Sequence, residues 1–485
     1  MRLAVALRNG ARAFPSAGRR EWVRPANGLR FWRLCGLLGL ALVSCGSRAV
    51  APELPPLEMS RFQPAVRAAI EPAYAGAREP ADSSANAALG RVLHAHGQYS
   101  IAAIAYQRAL VSAPKDASLL YLMGAALASD GKHAEAVDAL RLSLAERPSS
   151  VATRLRLADS LLASGDLAAA AKEYGSLPPS PQALYGLGRT QTGEEAVATL
   201  RRARDLYPRY GAARFALAGA LRKLGRAEEA EQALADYERD KLVAPPLDDP
   251  DMAAVEQLDV SATGLLRRAA SLERSGQLAE ALRLHEQAAT ADPKLAQVWV
   301  NLVSLQARLK NYGAAEEAYR KAVAIEPNRA EAHYNYGVLC METGRVAEAR
   351  KMFEKTAALD PANPEARHSL GVIAQESGDL ARAAKLFEET VERKPDHRSA
   401  RFHLGRIYAN KKKYPAAIAA FEGAVEPLDE MSASVLYALG AVHARNGDRA
   451  KAVSYLQRSR GEAAERGQTQ VLQSIERDLA LLSRR

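Results

Sequence analysis

The sequence is poor in cysteine and in aromatic residues. It holds three cysteines, Cys35, Cys45 and Cys340, and aromatic residues make up 6% of its 485 residues. No Cys-x-x-Cys, Cys-x-x-Cys-His or Cys/His zinc spacing occurs, so neither a zinc site nor covalent haem is supported and no cofactor is expected. Low aromatic content beside abundant Ala and Leu favours closely packed helices over a β-sandwich.

The common catalytic motifs are missing as well. The sequence contains no Gly-x-Ser-x-Gly, no phosphate-binding glycine loop and no His-Glu-x-x-His. Its nine histidines are scattered, and His94 and His96 fall on a predicted helix near a turn, where packing or solvent contact explains them. We therefore expect no enzyme, no catalytic residue, no metal site and no small-molecule substrate.

Positive charge is concentrated at the N-terminus. The formal net charge is +10, but residues 1–44 carry eight arginines and one glutamate, which leaves +3 for the remaining 441 residues. A nearly neutral body does not favour a polyanion-binding surface. We expect no nucleic-acid partner.

A short apolar run at residues 34–43 follows Arg30 and Arg33. It is too short to span a bilayer but has the length of a signal-peptide core. The run ends in Leu-Val-Ser-Cys at residues 42–45, which resembles the bacterial lipobox. That resemblance implies that residues 1–44 are a cleaved signal peptide and that Cys45 becomes the lipidated first residue.

The lipobox predicts a location in the bacterial cell envelope. Gly46 and Ser47 follow the cysteine in place of the Asp that favours inner-membrane retention, so we expect an outer-membrane anchor that faces the periplasm. The segment before Arg30 is long for a signal peptide, and a translation start at Val23 would give an ordinary length. After cleavage Cys340 is the free thiol that remains.

Residues 45–82 are predicted to be a tether behind this lipidated cysteine. They contain prolines at positions 52, 55, 56, 64, 72 and 80. Such a density of proline opposes a long helix and favours extended, semi-rigid chain, with room for one short helix between Phe62 and Arg78.

A 34-residue period dominates the rest of the chain. Phased with Pro at position 32, repeats start at Ser83, Ala117, Val151, Gly211, Ala262, Ala296, Ala330, Pro364, Arg398 and Ala433, with a shortened repeat at residues 182–208. Position 20 is alanine in all eleven: Ala102, Ala136, Ala170, Ala196, Ala230, Ala281, Ala315, Ala349, Ala383, Ala417 and Ala452. Position 8 is Gly or Ala except at Val303, and we expect positions 8 and 20 to face each other where two helices cross.

This pattern resembles the tetratricopeptide repeat, which places Gly at positions 8 and 15, Ala at 20 and 27, an aromatic residue at 24 and Pro at 32. The resemblance implies an all-α fold, a right-handed α-solenoid of about eleven helix-turn-helix repeats, with protein or peptide partners. Two repeats depart from it, because Lys310 and Lys412 replace the turn glycine.

Proline-rich stretches divide the array. We predict an N-terminal repeat block at residues 83–237, a proline-rich break at 238–261, which is either a hinge or an ordered insertion, and a C-terminal repeat block at 262–460. Residues 461–485 are predicted to contain a capping helix, since one helical face is apolar: Val471, Leu472, Ile475, Leu479 and Leu482.

Helix A of the C-terminal block carries the candidate groove residues. In this family helix-A positions 2, 5, 6, 9, 12 and 13 line the concave wall. Position 6 holds Asn301 and Asn335, which resemble the asparagine ladder that grips peptide backbone in O-linked N-acetylglucosamine transferase. Position 5 holds a row of rings: Tyr334, His368, Phe402 and Tyr437. Nearby arginines add positive charge: Arg308, Arg406 and Arg445. Duplication of an exposed residue, ordinary packing or a solvated face would explain the same pattern.

These features predict a non-catalytic, lipid-anchored scaffold of the cell envelope that binds partner segments in its concave groove. No repeat has the Lys and Asn of a carboxylate clamp, which argues against a cytosolic chaperone adaptor. Two alternatives stay open. The protein delivers substrate to a periplasmic enzyme, or it is a cytoplasmic interaction protein.

Overall fold

A computed structural model describes residues 50–78, 82–234 and 237–483. These residues form α-helices joined by turns, with one short 3-10 helix at Met59–Arg61 and no strand among them. The predicted signal peptide and Cys45 lie outside the described residues. No helix within the described ranges has both the length and the hydropathy needed to cross a membrane.

Eleven helix pairs make up most of the described part of the chain, each with a helix A followed by a helix B. Repeats 1 to 5 are Ser83–Ala95 with Tyr99–Ser112, Ala117–Ser129 with His133–Glu146, Val151–Ala163 with Leu167–Gly175, Pro181–Thr190 with Gly193–Leu206, and Gly211–Lys223 with Ala227–Leu234. Repeats 6 to 11 are Ala262–Arg274 with Leu278–Ala291, Ala296–Arg308 with Tyr312–Ile325, Ala330–Glu342 with Val346–Leu359, Pro364–Glu376 with Leu380–Arg393, Arg398–Asn410 with Tyr414–Glu422, and Ser432–Arg445 with Arg449–Glu465. The predicted helical repeat array is confirmed.

Among the described residues four further α-helices lie outside the repeats: Pro64–Gly76, Tyr237–Asp240, Pro250–Glu256 and Thr469–Ser483. The described residues form two compact units, one of residues 50–57 and 70–255 and the other of residues 58–69 and 256–483. We call repeats 1 to 5 the N-terminal block and repeats 6 to 11 the C-terminal block.

Polar N-caps and left-handed turns set the ends of the helices. The Asp116 carboxylate accepts a hydrogen bond from the Leu119 amide at 3.0 Å, which satisfies one of the free amides at the start of helix A in repeat 2. The turn after helix A needs a positive φ, which glycine adopts at low cost. Lys310 and Lys412 adopt it in repeats 7 and 10, with φ of 62° and 55°.

The small residue at position 8 makes room for the side chain at position 24. A Cβ built on Gly371 would lie 2.7 Å from the Phe387 ring, and one on Gly124 would lie 2.6 Å from Leu140 Cγ. The position-20 alanines are buried too, but Ala136 meets that Gly124 Cβ only through its carbonyl oxygen, at 3.3 Å. The position-20 backbone thus faces position 8 as expected, and the large side chain of position 24 fills the rest of the crossing point.

The segment before the repeats contains the helix Pro64–Gly76, within the range from Phe62 to Arg78 where the sequence left room for a short helix. The helix that begins at Pro64 contains Pro72 in its interior, and Ala77 just beyond it is fully buried. The Arg108 guanidinium donates to the carbonyl oxygens of Pro52 and Ala77, at 2.8 Å each. These bonds tie both ends of the segment to repeat 1, so burial and backbone pairing outweigh the local preference of proline.

The last helix, Thr469–Ser483, covers the final repeat. Ile475 is fully buried in a cluster with Ala433, Leu456 and Ala463, all of them from repeat 11. A terminal repeat has no following neighbour to bury its open side, and an added amphipathic helix supplies that cover. The predicted capping helix is confirmed.

Candidate peptide-binding positions on helix A

In repeats 8, 9 and 10 the position-5 rings lie on the position-24 rings of their own repeats. Three pairs have centroid distances of 5.6, 5.7 and 5.8 Å: Tyr334 with Phe353, His368 with Phe387, and Phe402 with Phe421. Tilted ring pairs at this distance are favourable packing contacts. Each position-5 ring is thus half-buried against helix B, and part of its surface stays exposed.

His368 also belongs to a cluster of three imidazoles. Its ring centroid lies 4.7 Å from that of His397 and 5.7 Å from that of His403. His397 accepts the Ala400 amide on Nδ1 at 3.1 Å, so its Nε2 carries the proton and donates to Glu365 at 3.0 Å. Burial, followed by the nearby His397, lowers the pKa of His368 to about 4, so this ring is uncharged at neutral pH.

The two candidate asparagines each use half of their amide inside the solenoid. Asn335 Nδ2 donates to the Val300 carbonyl oxygen of the preceding repeat at 3.2 Å. Asn301 Oδ1 accepts from Gln297 Nε2 at 2.7 Å. Asn335 Oδ1 and Asn301 Nδ2 have no hydrogen-bond partner within the described ranges, and both side chains are half-exposed. Asn301 in repeat 7 thus has an unused donor and Asn335 in repeat 8 has an unused acceptor, both available to a bound segment.

The candidate arginines differ in how their charge is used. Arg308 is paired with Glu273, since its guanidinium lies 2.9 Å from the carboxylate. Arg406 lies over the Phe402 ring at 5.9 Å from the centroid, and no carboxylate of the described residues is within ion-pair distance of it. Arg445 is exposed at the end of helix A in repeat 11. Arg406 is therefore the best placed of the three to meet an acidic group.

Tyr437 has a different environment from the other position-5 rings. Its hydroxyl donates to Asp478 Oδ2 of the last helix at 2.8 Å. The same helix places Val471 and Leu472 in the cluster that contains Tyr437. The position-5 site of repeat 11 is thus covered by the chain itself, while the sites of repeats 8 to 10 are not paired with that helix.

Three helix-A residues of the N-terminal block were not singled out from the sequence: Gln182 at position 2 of repeat 4, Tyr121 at position 5 of repeat 2 and Arg156 at position 6 of repeat 3. Gln182 Nε2 donates to the carbonyl oxygens of Pro245 and Pro246, at 3.2 and 2.8 Å. The Tyr121 hydroxyl donates to Asp249, and Arg156 donates to that hydroxyl at 3.0 Å. Applying the groove positions to both blocks would have found them.

Solved structures similar to this chain are helical repeat proteins. PilF of Pseudomonas aeruginosa is 19% identical with a TM-score of 0.41, and the match covers 45% of this chain and 97% of PilF. The type IV pilus biogenesis factor PilW is 23% identical with a TM-score of 0.39, over 44% of this chain and 97% of PilW. A chain of the Cut9–Hcn1 hetero-tetramer of the APC/C is 17% identical with a TM-score of 0.40, over 84% of this chain and 98% of that one.

Family models match both repeat blocks. Models of the tetratricopeptide repeat match residues 87–151 and 368–431, and residues 127–186 and 191–244. The TPR domain of cytochrome c-type biogenesis protein H matches residues 268–398. No curated protein matches the sequence. With eleven helix pairs among the described residues, most of which start 34 residues apart, these matches identify the chain as a tetratricopeptide-repeat protein, a class of protein-interaction scaffold.

Proposed function

We propose that this protein is a non-catalytic scaffold that holds extended segments of partner proteins along helix A of its C-terminal block. The observation that carries the proposal is the pair of half-used amides in successive repeats, Asn301 and Asn335. An amide offers a donor and an acceptor, so it pairs with a peptide main chain whatever the side chains of that peptide are.

The rings beside these amides add a surface for apolar side chains. Tyr334, His368 and Phe402 are held in place by helix-B rings and keep part of their surface exposed. Rings fixed in this way lose little conformational freedom when a partner binds. Arg406 at the end of this row favours a partner segment with an acidic group near the apolar part.

The proposal places the scaffold in the bacterial cell envelope, anchored to the outer membrane through a lipid on Cys45 and facing the periplasm. The lipobox at residues 42–45 supports the anchor. The match of residues 268–398 to the TPR domain of a biogenesis protein supports a role in envelope assembly. An adaptor for a periplasmic enzyme and a cytoplasmic interaction protein are the rival functions.

A photocrosslinker tests the binding surface. Placed at Ser304, a half-buried helix-A position-9 residue, it should form adducts with partner segments from an envelope extract, whereas at the exposed Asn328 between repeats it should not. Each hydrogen bond is worth about 0.5–1.5 kcal/mol, so Asn301→Ala with Asn335→Ala should lower the Ser304 adducts roughly tenfold. Circular dichroism should show unchanged helicity. Equal adduct yields at the two sites, or yields indifferent to the double substitution, would refute the proposed surface.

Metabolic labelling tests the anchor separately. The protein should incorporate palmitate and fractionate with membranes, and Cys45→Ala should abolish both while Cys340→Ala changes neither. Cys340 is the matched control because it is a buried thiol of the solenoid. Palmitate uptake by the Cys45→Ala variant would contradict the assignment of Cys45 as the lipidated residue, and no uptake by the wild-type protein would favour the cytoplasmic alternative.

A further inference from the structure

Part of the proline-rich break is held by helix A of the N-terminal block. Residues 243–249 are irregular and non-helical. The Gly211 amide of repeat 5 donates to the Val243 carbonyl oxygen at 3.2 Å. Gln182 of repeat 4 binds the carbonyl groups of Pro245 and Pro246, and Tyr121 of repeat 2 binds Asp249. The stretch therefore contacts repeat 5 first, then repeat 4 and then repeat 2, which is the reverse of their order in the sequence.

The proline pair in this stretch suits the contact that Gln182 makes. Proline has no amide hydrogen and prefers an extended conformation, so a proline pair presents its carbonyl oxygens without pairing them in a helix. The two amide hydrogens of Gln182 Nε2 reach the Pro245 and Pro246 oxygens at 3.2 and 2.8 Å. Gln182 thus binds main-chain carbonyl groups, which any segment of the same backbone conformation would present.

Two carboxylates after the proline pair meet two arginines. The Asp249 side chain is 10% exposed, accepts from Tyr121 and lies 3.6 Å from an Arg156 nitrogen. Arg147 lies 2.9 Å from Asp251. Charge-assisted contacts of this kind select for acid in a bound segment.

Few apolar side chains hold the stretch in place. Within it Leu247 is 41% exposed, Pro246 is exposed and Val243 is half-buried, while Pro245 is buried. Segments held by polar contacts with little buried apolar surface are those that open at low free-energy cost. The contacts are thus those of a bound peptide and differ from the apolar packing between helices A and B.

We propose that residues 243–251 are a built-in occupant of helix A in the N-terminal block, and that a partner segment of the same chemistry displaces them. The segment would contain two adjacent prolines followed by two carboxylates two residues apart. Gln182 would bind the proline carbonyl groups, and Arg156 and Arg147 would bind the carboxylates. This rests on the proposed function, since it assumes that the protein holds partner segments. The N-terminal block would then bind a different class of partner segment from the C-terminal block.

A labelled peptide tests the displacement. Fluorescein-tagged peptide with the sequence of residues 241–256 is titrated into the full chain and followed by anisotropy. The resident stretch competes with it, so Asp249→Asn in the protein should tighten peptide binding by on the order of tenfold. Asparagine also caps helices, so this substitution keeps the start of the helix Pro250–Glu256. Asp248→Asn is the matched control, because Asp248 is the exposed neighbour, and it should leave the affinity at the wild-type value.

The peptide itself supplies a second comparison. A copy with asparagine at the positions of Asp249 and Asp251 should bind no protein variant. Equal affinity of the wild-type and Asp249→Asn proteins for the acidic peptide, or no binding to either, would overturn the proposal and make the stretch a permanent wall of the fold.

Hydrogen exchange keeps the test decisive if Asp249→Asn fails to fold. Excess acidic peptide added to the wild-type chain should speed exchange of the Val243 amide, which donates to the Asp240 carbonyl oxygen at 2.8 Å while the stretch is in place, and unchanged exchange would overturn the displacement. The Ser304 crosslinks report on the other block. Loss of those crosslinks with displacement intact would count against the C-terminal surface alone, and the reverse result would count against this inference alone.

Discussion

The two repeat blocks use the same helix-A positions in different ways. In the N-terminal block, Tyr121 and Arg156 at positions 5 and 6 hold a carboxylate of the chain's own break segment. In the C-terminal block, Tyr334 and Phe402 at position 5 pack on rings of helix B, and Asn335 at position 6 binds the neighbouring helix. The repeat geometry decides which positions line helix A, and the side chains decide what these positions hold.

The difference separates two ways to bind a segment. Charged and phenolic groups in the N-terminal block select acid, and Gln182 adds main-chain recognition. Uncharged amides and rings in the C-terminal block favour main-chain and apolar contacts, with Arg406 as the one candidate cation there that lies on a position-5 ring. Under the two proposals, the two blocks therefore differ in the partner segments that they prefer.

Substitution of the crossing glycine should have the largest effect on this comparison. A side chain at Gly371 meets the Phe387 ring at 2.7 Å, and overpacking of this kind costs about 3 kcal/mol. Gly371→Val should therefore lower the protection of C-terminal amides against hydrogen exchange. Gly124→Val, which meets Leu140 at 2.6 Å, should do the same in the N-terminal block.

Gly219→Val is the matched control for both. Nothing lies within 4 Å of a Cβ built on Gly219, which also belongs to a helix A. Valine has a better helix propensity than glycine by a few tenths of a kcal/mol, so its effect should stay within about 0.5 kcal/mol. A Gly219→Val loss as large as that of Gly124→Val would show that helix distortion, and not collision with position 24, limits these sites.

Acid should distinguish the blocks by a smaller amount. The unfolded chain protonates His368 near its ordinary pKa of 6.5, and the folded chain does so only at about 4. Between these values the unfolded state binds more protons, so stability falls as pH drops. Hydrogen bonds, first from His397, lower the pKa of Glu365 to about 2, and this contribution is lost below pH 4.5. His368→Phe should remove about 2 kcal/mol of the acid loss.

The measurement is urea unfolding of the chain at pH 7 and pH 4, with hydrogen exchange used to monitor each block. Phenylalanine keeps a ring against Phe387 without a titrating group. His94 of the N-terminal block also has a pKa lowered to about 4, chiefly by burial, so His368→Phe should leave the acid loss of that block unchanged. Protection of both blocks by this one substitution would contradict a local origin.

The sequence predicted the repeats well because their spacing is carried by residues with strong local effects. Proline, glycine and alanine at fixed positions mark helix ends, turns and crossings, and each acts within one repeat. The rings at positions 5 and 24 can both be identified in the sequence, so their packing on each other was one of two interpretations of position 5. Their actual contact depends on the direction of the side chains, which the sequence does not give.

The path of the break segment was not predictable in the same way. Proline content indicates extended chain but not where that chain lies. Asp249 is 128 residues from Tyr121, and Pro246 is 64 residues from Gln182. Contacts at that separation depend on the folded array. The same reason applies to Tyr437, whose partner Asp478 lies on the capping helix.

The smallest expected effect concerns the turns, where the blocks also differ. In the described chain both non-glycine residues with positive φ, Lys310 and Lys412, lie in the C-terminal block. A side chain in the left-handed region costs about 1–2 kcal/mol, part of which glycine returns as entropy of the unfolded chain. Lys310→Gly should thus stabilise the C-terminal block by about 0.5–1 kcal/mol, seen as a higher urea midpoint. Gly344→Lys, at φ of 75° in the next repeat, should destabilise it by a similar amount. If both substitutions shift the midpoint in the same direction, the positive φ does not set the stability of these turns, and the contrast between the blocks is then one of sequence alone.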